Sequence, residues 1–472
     1  MLFTSANFFI LLFITFFLYY IPILKSVQLK LLIFSSLVFY AYESPAWLLL
    51  LLASAGINIL TSYNVIFGTN SRKKLVAILG VIFNLLILAF FKYSPLLAKT
   101  FLNENNSIGD FLLTIPLPIG VSFFTFEGIS LVVDVYKEKY FKDKNSISPS
   151  LWQHSQRTLF FISFFPHLIS GPILKAHEFL PQIETKLFKN IMWEVCFKNL
   201  VIGYFLKTFV ADNLKDYTLW IQFPMFLSFS GGKLLILLLA YSFQIFADFA
   251  GYSLIAIGLA KLFGYDFIQN FNFPYIATSF ADFWQRWHIS LSTFLKQYLY
   301  IPLGGNRKGN ARTYINLMTT MVLGGLWHGA AWSYAIWGAF HGIALVLERL
   351  VKDTMQIKTS KVLRFIYGIA VFLFVTIAWI LFKLPNFNHV VAFFKTIIQN
   401  PDSDYKESLG LTLSVAIYSL PVILFHLYYL IKSNNHFLYV KIKKTEYLMY
   451  AAMLFLIITN RGLPGTFIYF QF

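Results

Sequence analysis

The sequence has a single cysteine among its 472 residues, Cys196. One cysteine excludes an intramolecular disulfide and any metal site that needs several thiolates. Charge is scarce too, since 12% of the residues are charged, 58% are hydrophobic and 19% are aromatic. An ordinary soluble domain has about 25% charged residues, so the composition excludes that class. Apolar runs of about twenty residues satisfy their backbone in lipid only as helices, so we expect an all-α polytopic membrane protein.

Acidic residues are the scarcer charged type, 21 against 38 lysines and arginines, which gives a formal net charge of +17. The basic residues are scattered through short polar intervals, so anionic lipid and positive-inside bias explain them better than nucleic acid does. We also expect no cleavable signal peptide at the first apolar run. The first run, residues 3–24, has no basic n-region and no small-residue cleavage site, and we expect it to remain as a span.

The apolar runs predict the membrane spans. They cover residues 3–24, 29–43, 45–68, 75–91, 116–135, 155–174, 233–263, 331–348, 363–383, 409–431 and 446–460. No internal duplication is evident. We expect one integral-membrane domain over residues 1–472, with N-terminal helices in 1–230, a catalytic core in 231–345 and C-terminal helices in 346–472.

Basic clusters orient the predicted spans. They follow the first, third and fifth runs, and consist of Lys25 and Lys30, then Arg72, Lys73 and Lys74, then Lys137, Lys139, Lys142 and Lys144. If all three face the cytoplasm, the N-terminus lies outside. Lys92 and Lys99, in a predicted outward loop, count against this orientation.

Two histidines stand out between residues 280 and 342. His288 lies within Asp282-Phe283-Trp284-Gln285-Arg286-Trp287-His288-Ile289-Ser290, and His328 lies in the apolar run Gly324-Gly325-Leu326-Trp327-His328-Gly329. Ionisable groups at membrane depth face a protein interior and mark a pathway or reaction site. A hydrogen-bonded helix contact explains either histidine alone equally well. The polar residues near His288, namely Asp282, Arg286, Ser290 and Ser292, favour a reaction site.

The segment around His288 has helical periodicity. Apolar residues recur at three- and four-residue steps, at Trp284, Trp287, Leu291, Leu295 and Tyr298. The pattern predicts one amphipathic helix, interfacial or re-entrant rather than spanning. The turn-rich basic loop that follows, residues 302–309, lacks the GxxxxGK[ST] order of a phosphate-binding loop, and we expect it in the cytoplasm.

Polar residues on two other predicted helices allow two interpretations each. Gln244, Asp248 and Ser253 share a stripe that lines a polar cavity or joins two helices, with Gly251 allowing a close approach. Glu127 and Asp134 lie two turns apart on one face of the fifth predicted helix. They are either a functional pair or charges that neighbouring residues neutralise.

Breaker residues flank two predicted spans. Pro118, within residues 117–120, is expected to open the fifth span, because a first-turn proline lacks an N–H that has no helical partner anyway. Residues 165–172 contain two prolines and a glycine, which predict an interrupted or ended helix.

Several motifs together resemble a known family. They are Leu117-Pro118-Ile119-Gly120-Val121-Ser122-Phe123-Phe124-Thr125-Phe126, Gly171-Pro172, Asp248-Phe249-Ala250-Gly251-Tyr252-Ser253, the His288 and His328 motifs, Tyr300-Ile301-Pro302-Leu303-Gly304-Gly305-Asn306-Arg307 and Phe467-Ile468-Tyr469-Phe470-Gln471-Phe472. Over essentially the whole chain these residues resemble the membrane-bound O-acyltransferases, in the branch that contains the membrane subunit of alginate O-acetyltransferase.

The resemblance implies a ring of about 10–12 transmembrane helices around a thin centre, with interfacial or re-entrant helices. It implies that His328 is the essential catalytic residue and His288 a second functional histidine. In bacterial members, acetyl groups from cytoplasmic acetyl-CoA cross the inner membrane to a cell-surface polysaccharide, with a periplasmic acetyltransferase as partner. Alginate, cellulose and peptidoglycan all remain open as acceptors. Glu127, His167 and Leu254 depart from the family, which often has Gln, Gln and Asp there.

Acetyl transfer from a thioester to a hydroxyl needs a base, a group that stabilises the oxyanion, and exclusion of water. His328 suits the base, and His288 suits positioning of the acyl carbonyl or sharing of the proton. The residues predicted to bind substrate or donor are Asp282, Trp284, Arg286, Trp287, Ser290, Asn306, Arg307, Lys308, Gln244, Asp248, Tyr252 and Trp327. We expect no metal and no permanently bound cofactor. A transporter or flippase of a polysaccharide precursor or lipid-linked substrate is the alternative, and a scaffold would leave the histidines unexplained.

Overall fold

The computed structural model describes residues 1–102, 107–138, 147–355, 360–400, 405–465, 467 and 468. Of these described residues 79% are helical, and no strand occurs among them. Seven of the described helices are long and apolar enough to cross a membrane, and the shorter helices Ala6–Tyr20 and Glu446–Thr459 are apolar as well. The predicted all-α polytopic class is therefore confirmed, and the chain is a multi-pass membrane protein. The predicted number of ten to twelve spans stays a prediction.

Two compact units divide the chain. Unit 1 contains Met1–Asn199 and Ile255–Ile268, and unit 2 contains Leu200–Leu254 and Gln269–Phe472. The first ten helices lie in unit 1: α1 Ala6–Tyr20, α2 Gln28–Ala41, α3 Pro45–Phe67, α4 Lys73–Leu88, α5 Ser94–Phe101, α6 Ser107–Thr114, α7 Val121–Lys137, α8 Leu151–Ser163, α9 Phe165–Leu168 and α10 Ala176–Phe179. The single domain with three segments stays a prediction.

The remaining helices belong wholly or mainly to unit 2, except α11, which is divided between the two units at residue 200. They are α11 Trp193–Tyr204, α12 Asp212–Thr218, α13 Gly231–Leu262, α14 Phe280–Arg286, α15 Ile289–Leu295, α16 Asn310–His328, α17 Trp332–Met355, α18 Lys361–Lys383, α19 Phe387–Gln399, α20 Tyr405–Asn434, α21 His436–Lys444 and α22 Glu446–Thr459. Most apolar runs coincide with one helix each. Continuous runs without internal breakers leave helical hydrogen bonding as the way to satisfy every backbone group.

The fifth and sixth predicted spans are shorter than expected. α7 begins at Val121, so Pro118 precedes the helix instead of opening it. Gly120 takes the N-cap with φ 80°, and a Cβ there would lie 2.7 Å from the Leu168 carbonyl oxygen. α8 ends at Ser163 and only the four-residue α9 follows, as the breakers in 165–172 predicted.

Buried polar pairs stabilise unit 1. Glu127 Oε1 lies 2.9 Å from His167 Nδ1, and both side chains are fully buried. Asp134 Oδ2 lies 2.7 Å from His177 Nδ1. Each carboxylate on the shared face of α7 is thus matched by a histidine, which agrees with the interpretation as neutralised charges. Glu127 and His167, both departures from the family pattern, contact each other.

The two lysines that count against the predicted orientation, Lys92 and Lys99, both lie in a helix and not in a loop. Lys92 lies in a π-helical turn that joins α4 to α5, so that Lys73–Phe101 forms one continuous apolar helix. Its side chain is buried, and Nζ donates to Ser122 Oγ at 3.2 Å. Lys139, Lys142 and Lys144 of the third basic cluster lie outside the described residues, as does the end of the chain after Ile468.

α13 is buried inside protein, and α16 and α17 form a closely packed hairpin. The apolar window of α13 is 83% buried, against 22–44% for the other six candidate spans. α16 and α17 approach closely because Gly325 and Gly338 face each other's backbone. A Cβ at Gly325 would overlap the Tyr334 carbonyl oxygen, and one at Gly338 would overlap that of Met321. Small residues at such positions permit the close helix contacts typical of membrane proteins.

The predicted single amphipathic helix around His288 is wrong. α14 ends at Arg286, Trp287 is extended, and His288 has φ 44° before α15 begins at Ile289. Long-range backbone hydrogen bonds impose the break, because Asn270 O accepts from Ile289 N at 2.9 Å. Asn272 N likewise donates to Arg286 O at 2.9 Å. These contacts outweigh the local helical periodicity.

Candidate functional site

Asn270 holds the side chain of His288. Its Oδ1 lies 3.2 Å from His288 Nδ1 and also accepts from Ser290 N at 3.2 Å and Ser290 Oγ at 2.7 Å. Asn270 Nδ2 donates to Ser253 Oγ on α13 at 3.2 Å. The amide is therefore fixed at both ends, and it fixes the imidazole in turn.

This network assigns the proton of His288. The Ser290 N–H can only donate, so the Asn270 atom it meets is the amide oxygen, and the Nδ1 of His288 must be the donor to that oxygen. A neutral ring with its proton on Nδ1 has the acceptor lone pair on Nε2. Burial lowers the pKa of His288 to about 3, so the ring is neutral at physiological pH.

His328 is the last residue of α16, and its ring is buried among aromatic side chains. The Trp337 and Phe382 rings each lie 5.2 Å from it, centroid to centroid. The His288 ring lies 6.3 Å from the His328 ring. Trp327 contacts both histidines, at 5.1 Å from His328 and 6.0 Å from His288. Residues far apart in sequence are thus brought together in unit 2.

α14 places its predicted donor-binding residues beside this site. Asp282 Oδ1 accepts from Arg286 Nε at 2.6 Å, one turn apart on the helix. The Trp284 ring contacts Trp337 at 5.7 Å, and Trp287 contacts Trp379 at 4.9 Å. The helix starts where the Glu348 carboxylate of α17 accepts from the Phe280 and Ala281 backbone amides. Ser290 contributes through Asn270.

The other predicted binding residues have different contacts. Asn306, Arg307 and Lys308 are exposed in the loop after α15. Gln244 accepts from Thr218 Oγ1, and Asp248 accepts from Lys207 Nζ at 2.7 Å. These contacts on α13 match the interpretation of its polar stripe as a helix-to-helix cluster, and a Cβ at Gly251 would lie 2.8 Å from Gly203 O. Tyr252 packs on Phe467 at 4.7 Å. A donor-binding role for all of these residues stays a prediction.

Sequence reasoning missed Asn270 and His341. No local motif marks Asn270, whose role depends on contacts eighteen residues along the chain. His341 on α17 is fully buried, and within the described residues neither ring nitrogen has a hydrogen-bond partner. Its ring contacts Trp337 at 4.8 Å and Trp284 at 5.2 Å. The motif Phe340-His341-Gly342, inside an apolar run, was the available signal.

Comparison with known proteins identifies the family of this chain. Residues 149–391 match the model of MBOAT, the membrane-bound O-acyltransferase family. The chain is 37% identical to the probable alginate O-acetylase AlgI of Azotobacter vinelandii, over 81% of this chain and 75% of that protein. It is 34% identical to the peptidoglycan O-acetyltransferase of Helicobacter pylori, over 78% and 73% of the two chains.

A more distant relative is the teichoic acid D-alanyltransferase of Bacillus subtilis, 25% identical over 57% of this chain and 70% of that protein. Residues 149–391, which match the family model, contain His288, Asn270, His328 and His341. The family match covers more than half of the chain, and the alginate O-acetylase and the peptidoglycan O-acetyltransferase named above each align over more than two thirds of their length. The resemblance seen in the motifs is confirmed, and the chain belongs to the membrane-bound O-acyltransferase family.

Proposed function

We propose that the chain is an O-acetyltransferase that takes acetyl groups from cytoplasmic acetyl-CoA and passes them across the bacterial inner membrane for O-acetylation of a cell-surface polysaccharide. The observation that supports this most directly is the pair of buried histidines, with ring centroids 6.3 Å apart, in a setting of aromatic rings. A reacting thioester carbonyl and hydroxyl need such a dry, basic site, because water would hydrolyse the donor.

His328 acts as the general base. The acceptor hydroxyl oxygen attacks the thioester carbonyl carbon while His328 takes the hydroxyl proton. The C–S bond then breaks, and His328 gives the proton to the sulfur, which releases CoA as its thiol. The imidazolium that forms transiently lies at the C-terminal end of α16, where the helix dipole is negative. That position stabilises a cation by about 0.5 kcal/mol.

His288 shares the proton. The tautomer set by Asn270 places a lone pair on Nε2, which suits accepting a hydrogen bond from the hydroxyl and does not suit donating to an oxyanion. Of the two roles expected for His288, proton sharing therefore fits the hydrogen-bond network better than positioning of the carbonyl.

The acyl group and acceptor class follow from the relatives. The two relatives above 30% identity are named for O-acetyl transfer, one with alginate and one with peptidoglycan. We infer acetyl rather than D-alanyl as the group, and a surface glycan as the final acceptor. We propose that a periplasmic acetyltransferase receives the acetyl group or reads the glycan, and that the N-terminus lies in the periplasm, a topology that the positions of the basic clusters support.

Reconstituted vesicles test this function. The purified protein is inserted in liposomes, acetyl-CoA labelled in the acetyl group is supplied on one side, and peptidoglycan or alginate oligosaccharide with the partner is supplied on the other. We expect ester-linked label on the glycan and free CoA on the donor side. A transporter or flippase would move a glycan precursor without any labelled ester or free CoA, and that outcome would contradict the proposal.

A further inference from the structure

A buried charge cluster in unit 2 fixes the C-terminal segment, defined as residues 462–465, 467 and 468, against α13. Lys207 is 4% exposed, and its Nζ donates to Asp212 Oδ1 at 2.8 Å and Asp248 Oδ1 at 2.7 Å. The same ammonium donates to the Gly465 carbonyl oxygen at 3.2 Å. An ammonium has three donors, and these three oxygens account for them.

The segment itself completes the cluster. The backbone N–H of Ile468 donates to Asp248 Oδ2 at 2.7 Å, and Gly462 N donates to Thr208 O at 2.9 Å. A Cβ at Gly462 would lie 2.4–2.8 Å from the backbone of Asp212 and Asn213, so the chain runs directly along α12 there. Breaking a buried ion pair leaves an uncompensated buried charge, which makes this attachment specific in position.

The attached segment inserts one large side chain. Phe467 is fully buried, and its ring contacts Tyr252 at 4.7 Å and Phe249 at 5.6 Å. Phe249 in turn meets the His288 ring edge to face, at 4.6 Å and 88°. Only the Phe249 ring therefore separates Phe467 from His288 along this line of contacts.

Residues 248–253 of α13 present two adjacent rows of side chains. Asp248 and Tyr252, four residues apart, contact the segment, while Phe249 and Ser253, also four residues apart, contact His288 or its Asn270. Residues four apart lie on the same face of a helix. The turn at residues 248–253 thus connects the segment rigidly to the imidazole.

We propose that the C-terminal segment is a positioning element of the active site, in which Phe467 holds the His288 ring in place through Phe249. Its side chain does not touch the reacting atoms. The kinetic part of this inference rests on the proposed function, because it assumes that His288 takes part in transfer. Misplacement of such a ring by about 1 Å can lower turnover by about 10²-fold.

Phe467→Ala tests the inference, with Phe467→Leu as the conservative variant and Phe455→Ala as the matched control. Phe455 lies on α22 and is 63% exposed. We expect Phe467→Ala to lower kcat by about 10–100-fold with an unchanged KM for acetyl-CoA, Phe467→Leu to recover most of the loss, and Phe455→Ala to behave as the wild type.

A second readout does not depend on activity. Diethyl pyrocarbonate modifies accessible neutral imidazoles, and mass spectrometry gives the modification rate of His288 relative to His436, which is exposed. We expect His288 to be protected in the wild type and in Phe455→Ala, and to react at least about 10-fold faster in Phe467→Ala, since the ring next to it loses its support.

The two readouts separate the possible failures. Increased His288 reactivity with unchanged transfer would keep the positioning role but contradict the proposed function of His288. Unchanged His288 reactivity in folded Phe467→Ala would overturn the positioning role, whatever the activity. If Phe467→Ala does not fold, Phe467→Leu decides by the same two measurements, with a smaller increase in reactivity expected and an unchanged reactivity overturning the inference.

Discussion

His288 combines a rare backbone conformation with a buried, hydrogen-bonded ring. Its φ of 44° lies in the left-handed region, which few residues other than glycine and asparagine adopt without strain. Strain of this kind, of the order of 1–3 kcal/mol, persists where the surroundings over-determine it and is concentrated at functional sites. The conformation turns the ring towards Asn270 and His328, which a continuous helix could not do.

His288→Asn separates function from folding at this position. Asparagine tolerates the left-handed backbone, but it removes the imidazole. We expect transfer per mole of purified protein to fall by at least about 10²-fold, because proton transfer loses a participant. Membrane-inserted protein should be as abundant as the wild type. A normal rate per mole, with only the abundance reduced, would show that His288 is structural.

The same variant should change acid stability. The pKa of His288 is lowered to about 3 by burial, against about 6.5 in an unfolded chain. Below pH 6.5 the unfolded chain gains a proton that the folded chain cannot take. The stabilisation present above pH 6.5 is therefore lost at up to about 1.4 kcal/mol per pH unit as the pH falls towards 3. Thermal unfolding in detergent at pH 7 and pH 5 should show a smaller fall in Tm for His288→Asn. Equal falls would contradict the assignment.

Glu127 and His167 should behave as one unit. Each is buried in unit 1 and contacts the other at 2.9 Å. Glu127→Gln or His167→Gln alone leaves a buried partner without its match, at a cost of about 3–5 kcal/mol. We expect the double variant Glu127→Gln, His167→Gln to be more stable than the sum of the single changes predicts, with a coupling of about 0.5–3 kcal/mol. Additive losses in Tm would show that the two departures from the family pattern are independent.

At the scale of elements, the sequence predicted most helices but not the break at His288. Hydrophobic runs report on lipid and core burial, which is local in sequence, so α2, α3, α13, α18 and α20 were predictable. The break depends on backbone hydrogen bonds to Asn270 and Asn272, which no local pattern contains. α19 and α21 were missed as well. They are short, and polar or basic residues interrupt their apolar positions.

The candidate site shows the same division. The composition of the chain around His288 and His328 indicated both histidines, because ionisable residues are rare in such a setting. Asn270, His341 and the Lys207 cluster became visible only through tertiary contacts. Gln244 and Asp248 were grouped correctly on one stripe of α13, yet the stripe contacts Thr218 and Lys207, which periodicity alone cannot identify.

The loop after α15 allows a test on the donor side. Arg307 and Lys308 are exposed, and acetyl-CoA carries several phosphate charges. We expect Arg307→Gln with Lys308→Gln to raise the KM for acetyl-CoA more than it lowers kcat, because attraction shared by ground and transition states is lost. The effect should shrink with added salt. Lys441→Gln with Lys443→Gln on α21 is the matched control. An unchanged KM at low ionic strength would leave the loop as a membrane anchor.

For the whole molecule, the net charge of +17 and the apolar helices describe a chain that is surrounded by lipid and borders anionic headgroups. Unit 2 contains both histidines, Asn270, His341 and the C-terminal segment. In the proposed function, the thioester of acetyl-CoA supplies the free energy of transfer, so outward delivery of acetyl groups needs no ion gradient or nucleotide. We propose that His328 is the general base of this transfer.

Single-turnover release of CoA from acetyl-CoA, measured with His328→Ala and wild type in the same liposomes with partner and glycan, tests that claim most directly. We expect the variant to remain folded, with an unchanged Tm and membrane insertion, and to transfer acetyl at least about 10²-fold more slowly, because the base is absent. Transfer by folded His328→Ala at a rate within a few-fold of the wild type would contradict the account.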